Sequence, residues 1–397
     1  MHWHGCGKDM SEIKENSNVE LLKDIRGSYT ILDYIKDNAD KDFDELPFNE
    51  VDNLMLCQLS YLDYTDFVPG LNVEKQSVYL KDIYADPNYD NLFKKYWYVE
   101  NNKELIEGLV NSKRFGDLKL NFFVDVYNEE KDAQFAAVTY IYDNSDVFIA
   151  FRGTDATLVG WKEDMKLAYS KPTRAQELAL GYLTEVVHKI AGSFRCGGHS
   201  KGGNLAVYSC MMANEEITNR LIKVYSNDGP GFRPEIIANS NMRAIKDKIY
   251  KFIPRESIVG IIMNEDDDFK IVDSTTIGTL QHNLYTWKCD ENGNIITCND
   301  MSVIKKTYDN ALNQWIYSLS KEEIDEFIDG VFEILSSKDA KNVFDLIVDP
   351  IKTISAMSAT YKNLSEESKQ NFNELLNRFK TISKELFADE IKHHFKL

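Results

Sequence analysis

Gly198-His-Ser-Lys-Gly202 stands between a short apolar stretch at 193–197 and a run of small and apolar residues at 204–213. G-x-S-x-G set between a strand and a helix marks a serine on a sharp strand-to-helix turn, so Ser200 is the candidate nucleophile. Such a turn strains the serine backbone, and side chains at positions 198 and 202 would collide with the adjoining strand and helix. Working outward, the chain must supply a strand before this turn, a helix after it, and parallel strands on either side.

It does so in order. Three runs rich in Val, Ile, Phe and Tyr, at 118–127, 134–142 and 147–151, are separated by polar turns and predict successive strands. Pro172 is placed to open a helix whose Ala175, Leu178, Ala179, Tyr182, Leu183, Val186, Val187 and Ile190 share one face until Gly192 stops it. After the serine turn, 221–226 and 249–253 are further strand-like runs. Strands alternating with helices predict an α/β fold with a mostly parallel central sheet. Upstream, Val51, Leu54, Met55, Gln58, Leu59 and Leu62 predict a core-facing helix within 49–64, and Leu105 and Leu109 belong to another within 91–115. Beyond about 302 the periodicity is helical. Ser320 and Glu323 form a capping box, and Ile324, Phe327, Ile328, Val331, Phe332 and Leu335 follow on one face, a pattern repeated from Phe372 to Leu386. The expected organisation is a polar extension over 1–30, with one short helix near 19–25, then a catalytic unit over 31–301 and a helical region over 302–397.

A serine hydroxyl needs a base, and the chain holds 7 histidines. In folds of this type the order along the chain is nucleophile, acid, histidine. Downstream of Ser200 stand only His282, His393 and His394, the last two in a polar tail, so His282 is the expected base. His199, inside the pentapeptide, is expected to pack beneath the turn. An acid must orient the imidazole. Asp228 follows one predicted strand and precedes Gly229-Pro-Gly231, Glu256 follows the next, and Asp273 is a third choice; Asp228 is preferred, with Glu256 as the alternative acid. For the oxyanion, one N–H donor is that of Lys201, directly after the serine, and the second is assigned to Thr154 in Phe151-Arg-Gly-Thr-Asp155, where Gly153 permits close approach.

Together these residues resemble the class 3 (fungal-type) lipases, a branch of the α/β-hydrolases. Asp52-Asn-Leu, Leu59-Ser-Tyr61, Phe151-Arg-Gly-Thr-Asp155, Gly160-Trp-Lys-Glu-Asp164, Gly198-His-Ser-Lys-Gly-Gly-Asn-Leu-Ala206, Asp228-Gly-Pro-Gly-Phe232, Ser257-Ile-Val-Gly260 and Gln281-His282 are similar to the bacterial Mbeg1-like (DUF2974) family, over about 30 to 300. The resemblance implies an α/β-hydrolase fold with a helical C-terminal appendage, Ser200 as nucleophile, His282 as base, and Thr154 and Lys201 as oxyanion donors. It also implies an acid just before Ile258-Val259, where this chain has Ser257. That vacancy favours Asp228. Lys201 replaces the leucine common in the lipases and is expected to put a charge beside the site, against a long-chain triacylglycerol substrate. The expected activity is hydrolysis of carboxylic esters, of the lipid or acyl-glycerol class, with 155–175 (Trp161, Met165) as a lid. Two other readings stay open: a hydrolase-shaped scaffold with a vestigial triad, and a hydrolase of amide or peptide bonds.

Composition excludes several classes. A formal charge of −18 disfavours nucleic acid and anionic lipid surfaces. Apolar residues make up 43%, yet no run reaches the ~18 needed for a bilayer span, and the first residues lack the apolar core of a signal peptide. A soluble, cytoplasmic chain is expected. Its 6 cysteines lack C-x-x-C spacing and are read as reduced thiols; Cys289 and Cys298 are placed to flank a hairpin. His2, His4 and Cys6 lie at a terminus without supporting ligands, and no metal or cofactor is expected. The C-terminal helices offer a face for a partner or for self-association.

Overall fold

The computed structural model describes residues 28–395, except 74–75, 95–97, 129–132, 144–145, 155–166, 168–171, 239, 265–267, 299–302 and 337–364. The N-terminal extension to 27, its short helix, His2, His4, Cys6, Trp161, Met165 and most of the expected lid lie outside the described residues.

Among the described residues, nine strands form one sheet in sequential order: β1 (Val78–Tyr79), β2 (Lys119–Asn128), β3 (Ala133–Tyr142), β4 (Asp146–Phe151), β5 (Phe194–His199), β6 (Leu221–Asn227), β7 (Ile249–Pro254), β8 (Lys270–Val272) and β9 (Thr297–Cys298). The sheet is mixed, which corrects the expectation of a mostly parallel one. β4 to β8 run parallel, whereas the β1–β2, β2–β3, β3–β4 and β8–β9 pairs are antiparallel. The reason lies in the lengths of the connections: the few residues between β2 and β3 and between β3 and β4 are too short for anything but a reversal, while parallel neighbours need a long crossover.

Sequential parallel strands joined by right-handed crossovers place every crossover helix on the same face. α4 (Arg174–Lys189) and α5 (Lys201–Met212) accordingly pack with Val147, Ile149, Phe151 and Cys196 in one core. The opposite face, presenting Phe148, Ala150, Tyr225 and Phe252, is covered by α1 (Ile31–Asp37), α2 (Glu50–Leu59) and α3 (Val99–Val110). This split follows the two-residue alternation of side chains along each strand.

Two helices depart from their sequence reading. α2 is buried from Val51 to Leu59 instead of along one stripe, because β4 and β5 meet it on one side and α1 and α3 on the other. Its polar residues are correspondingly paired: Asp52 accepts from Arg114 Nε at 2.8 Å, and Arg114 also donates to the carbonyls of Asp42, Leu46 and Pro47. α4 begins after Pro172, with Thr173 as its cap. The Thr173 side chain accepts from Gln176 N–H while Gln176 Oε1 accepts from Thr173 N–H, and these reciprocal bonds satisfy two of the N–H groups that a helix start leaves open.

α6 (Val303–Ser318), α7 (Lys321–Ser336) and α8 (Glu366–Phe395) complete the described fold. The Ser320–Glu323 capping box is present, with N–H to side-chain distances of 2.8 and 3.1 Å. Trp315 lies in a small core that also takes in Leu167 and Met263, with ring contacts to Phe327 and Phe379 and an indole N–H bond to Leu375 O at 2.9 Å. The helices are also tied to the loop after β7. Asn313 accepts from Met263 N–H at 2.7 Å and donates to Ile261 O at 2.9 Å, while Arg233 donates to Ile316 O at 3.0 Å. Cys289 pairs with Ile295 across the expected hairpin, and both Cys289 and Cys298 are free thiols. Among the described residues no helix is long and apolar enough to cross a membrane, and no group of three His, Cys, Asp or Glu residues is arranged to hold a metal ion.

Candidate active site

β5 ends at His199 and α5 begins at Lys201, so Ser200 alone makes the turn. It does so at φ 56° and ψ −132°, a conformation costing roughly 1–3 kcal/mol for a residue with a side chain. The flanking glycines make it possible. A Cβ at Gly198 would lie 2.2 Å from Gly202 C, and one at Gly202 would lie 2.1 Å from Phe151 O. The turn is held from below: Ser200 N–H bonds to Asn227 O at 2.9 Å, and the Asn227 side chain, paired with Asn53 of α2, donates to Gly198 O at 3.1 Å.

Asp228 directly follows β6, with φ 53°, and its carboxylate is wholly buried. It is also fully engaged. Oδ2 accepts from His282 Nδ1–H at 2.6 Å, and Oδ1 accepts from Ser257 O–H at 2.5 Å and Gly260 N–H at 3.1 Å. Three donors offset the loss of water around a buried carboxylate. Since Nδ1 donates to Asp228, the neutral ring keeps its lone pair on Nε2. The ring is partly exposed, and it lies 4.3 Å, centroid to centroid, from the ring of His199, the residue before Ser200. Asp228 and His282 are thus brought together, and His282 lies against the residue before Ser200, at the carboxyl ends of β5 and β6. Among the described residues neither Ser200 Oγ nor His282 Nε2 makes a hydrogen bond, to each other or to another group.

The other carboxylates lie elsewhere. Glu256 is exposed and accepts from Gly278 N–H, at the start of the 3-10 turn Gly278–His282 that carries His282. Its own N–H donates to Gln281 Oε1 at 3.0 Å, so Glu256 fastens the histidine turn without touching the imidazole. Asp273 is paired with Lys288 at 2.9 Å.

A further layer was not read from the sequence as functional. His199 is buried, and its Nε2 lies 2.7 Å from the backbone carbonyl of His282. A carbonyl only accepts, so Nε2 carries the proton; Nδ1 then accepts from Tyr61 O–H at 2.8 Å. Burial, and next the neighbouring His282, push the His199 pKa well below its ordinary 6.5, which suits a neutral ring. The available signals were a histidine inside the pentapeptide and a tyrosine within Leu59-Ser-Tyr61. Neither local pattern says what the side chain will face.

The loop after β4 also reaches the turn. Arg152 anchors it with two bonds to Asp125, at 3.1 and 2.7 Å, and a Cβ at Gly153 would meet Tyr61 Oη at 2.1 Å and His199 O at 2.5 Å. Thr154, next in the chain, is half-buried there. The side chain of Lys201 does not put its charge beside the serine, which corrects the sequence reading: it is buried, and Nζ donates to Gln134 O at 3.0 Å and Gln134 Oε1 at 3.1 Å on β3. The helix turns position 201 toward the sheet, leaving only its backbone N–H near the serine. On the outer side, Ile258 (48% exposed), Ile277 (76%) and Leu280 (56%) are large apolar side chains on the two loops that hold Asp228 and His282.

Among solved structures the chain is similar to one titled "Crystal structure of M37 lipase", at 14% identity, over 52% of this chain and 68% of that one, with a TM-score of 0.34. No curated protein matches the sequence. The Mbeg1-like family model matches residues 109–333, more than half of the chain and the span containing Thr154, Ser200, Asp228 and His282, and the chain belongs to the Mbeg1-like family.

Proposed function

We propose that this protein is a serine hydrolase of carboxylic esters, built as an α/β-hydrolase unit over 31–301 with a helical unit over 302–397. The observation that carries the reading is the 2.6 Å bond between His282 Nδ1 and Asp228 Oδ2, which leaves the basic Nε2 available at the Ser200 turn. Ser200 Oγ attacks the ester carbonyl carbon as its proton passes to Nε2. The tetrahedral oxyanion accepts hydrogen bonds from the N–H groups of Lys201 and Thr154. Collapse breaks the ester C–O bond, and the departing alcohol takes the proton from Nε2. Water then gives a proton to Nε2 and attacks the acyl-enzyme; the acid leaves and Oγ regains its proton. The Ser200–His282 hydrogen bond forms as substrate settles, as is common where the free site is loose.

Lipid or acyl-glycerol esters are the proposed substrate class. Ile258, Ile277 and Leu280, exposed on the loops beside the triad, support an apolar acyl group at the rim, and the inward turn of Lys201 removes the objection that a charge stands there. The test pairs labelling by a fluorophosphonate with hydrolysis of short p-nitrophenyl esters and matching amides. Labelling confined to Ser200, with ester turnover abolished in Ser200→Ala, is expected. A folded wild-type protein that neither labels nor turns over ester is a scaffold instead, and faster amide turnover reassigns the bond cleaved.

A further inference from the structure

We propose that His199 is a positioning residue, bracing His282 in its working orientation through a fixed hydrogen-bond chain that begins at Tyr61. The proposal rests on the Ser200–His282–Asp228 reading. Asp228 holds the His282 ring at Nδ1 and Glu256 fastens the turn at Gly278 and Gln281, but neither contact fixes the tilt of the ring or the backbone carbonyl of His282 itself. His199 supplies the missing restraint in two ways: its Nε2–H donates to the His282 carbonyl at 2.7 Å, and its ring lies against the His282 ring, with centroids 4.3 Å apart and planes at 40°. The loop carrying His282 is otherwise a 3-10 turn, with exposed Ile277 and Leu280 on it.

The brace has one direction. The His282 carbonyl can only accept, so His199 is protonated on Nε2 and its Nδ1 must accept; Tyr61 O–H, at 2.8 Å, is the donor that fixes this tautomer. Tyr61 follows α2 and touches the loop after β4, since a Cβ on Gly153 would lie 2.1 Å from Tyr61 Oη. One tyrosine thus links the loop assigned to the oxyanion with the loop assigned to the base. His199 is itself fixed, being the last residue of β5 and paired in register with Asn227.

The experiment compares His199→Leu, which fills the space without a donor, with His199→Gln, whose amide N–H reaches a similar point, and with Tyr61→Phe. Denaturant midpoints verify that each variant is folded. His199→Leu is expected to lower kcat on a p-nitrophenyl ester on the order of 10- to 100-fold, the usual cost of losing support around a functional imidazole, with KM little changed. His199→Gln is expected to recover most of that loss, and Tyr61→Phe to fall between. A folded His199→Leu with wild-type kcat, or a His199→Gln as impaired as His199→Leu, overturns the proposal. A second readout does not depend on turnover: the low-field proton resonance of His282 Nδ1–H, assigned by its loss in His282→Gln. It should broaden or vanish in His199→Leu and persist in His199→Gln. Its absence from wild type, or its persistence unchanged in His199→Leu, overturns the brace even if the protein cleaves no ester, while failure of the Ser200 tests with the expected resonance pattern overturns only the hydrolase reading.

Discussion

Ser257 Oγ donates a 2.5 Å hydrogen bond to Asp228 Oδ1, from the position where resemblance to the lipases implies the acid itself. β6 and β7 are parallel neighbours, and Asp228 N–H bonds to Phe252 O at 2.8 Å, so the ends of the two strands lie side by side. A carboxylate at either end can serve one imidazole. In this chain the carboxylate, Asp228, directly follows β6, and Ser257, in the loop after β7, donates to it.

Removing the Asp228 charge while keeping its shape tests that arrangement. Asp228→Asn is expected to lower kcat by roughly 10⁴-fold, because the amide favours the wrong imidazole tautomer. Ser257→Ala keeps the carboxylate and the Gly260 donor and should cost far less, about tenfold, in proportion to one lost hydrogen bond to a charged group. Steady-state ester kinetics decide between them; equal losses would mean Ser257 does more than support Asp228.

Gly202→Ala should damage the fold before the chemistry. The new Cβ would stand 2.1 Å from Phe151 O, a backbone atom that no rotamer change can move away. A loss on the order of 1–3 kcal/mol or more is expected, as for overpacking elsewhere in protein cores. Chemical denaturation measures it, and an unchanged midpoint would contradict the tight contact between β4 and the serine turn.

His199 makes stability depend on pH in a defined sense. Its folded pKa lies below the ordinary 6.5, chiefly through burial. Above 6.5 both folded and unfolded chains hold a neutral ring and the contribution is fully present; as pH falls, the unfolded chain takes up a proton that the folded ring refuses. Stability from this group is therefore lost toward acid, at up to ~1.4 kcal/mol per pH unit. Denaturant midpoints of wild type and His199→Gln, compared at about pH 8 and about pH 5, should converge or cross toward acid, since the variant lacks this proton uptake. A constant gap would contradict the buried neutral ring.

The helical region should support the acid from a distance. Asn313 binds Ile261 O and Met263 N–H, in the loop whose Gly260 N–H reaches Asp228. Asn313→Ala leaves both backbone groups without this partner and should cost about 1–3 kcal/mol in stability. A fall in kcat greater than any change in KM is the expected kinetic sign, and wild-type turnover in a destabilised Asn313→Ala would confine its role to folding.

Much of this was legible along the chain because it rests on local sterics. Gly198, Ser200 and Gly202 specify their turn by what their backbones and side chains cannot do, and the polar breaks between β2, β3 and β4 mark where the chain reverses. As candidates, Asp228 follows from its place after a strand and His282 from order and elimination, and their roles as acid and base belong to the proposal. The side chains of His199 and Lys201 could not be read in this way. Each sits in the same pentapeptide, yet one turns toward His282 and the other toward Gln134, and packing against distant strands settles both directions.

By itself, then, the sequence determined the serine turn, the runs that become strands and helices, and the few residues able to act as base and acid, since those depend on spacing, backbone freedom and side-chain chemistry within a short reach. Only the tertiary structure decided that β1 and β9 pair antiparallel with β2 and β8, that Ser257 supports Asp228, and that Tyr61 and His199 stand behind His282. The Asp228–Ser257, His199–His282 and Tyr61–His199 hydrogen bonds join groups 29, 83 and 138 residues apart in the chain, and such contacts exist only once the intervening segments have packed.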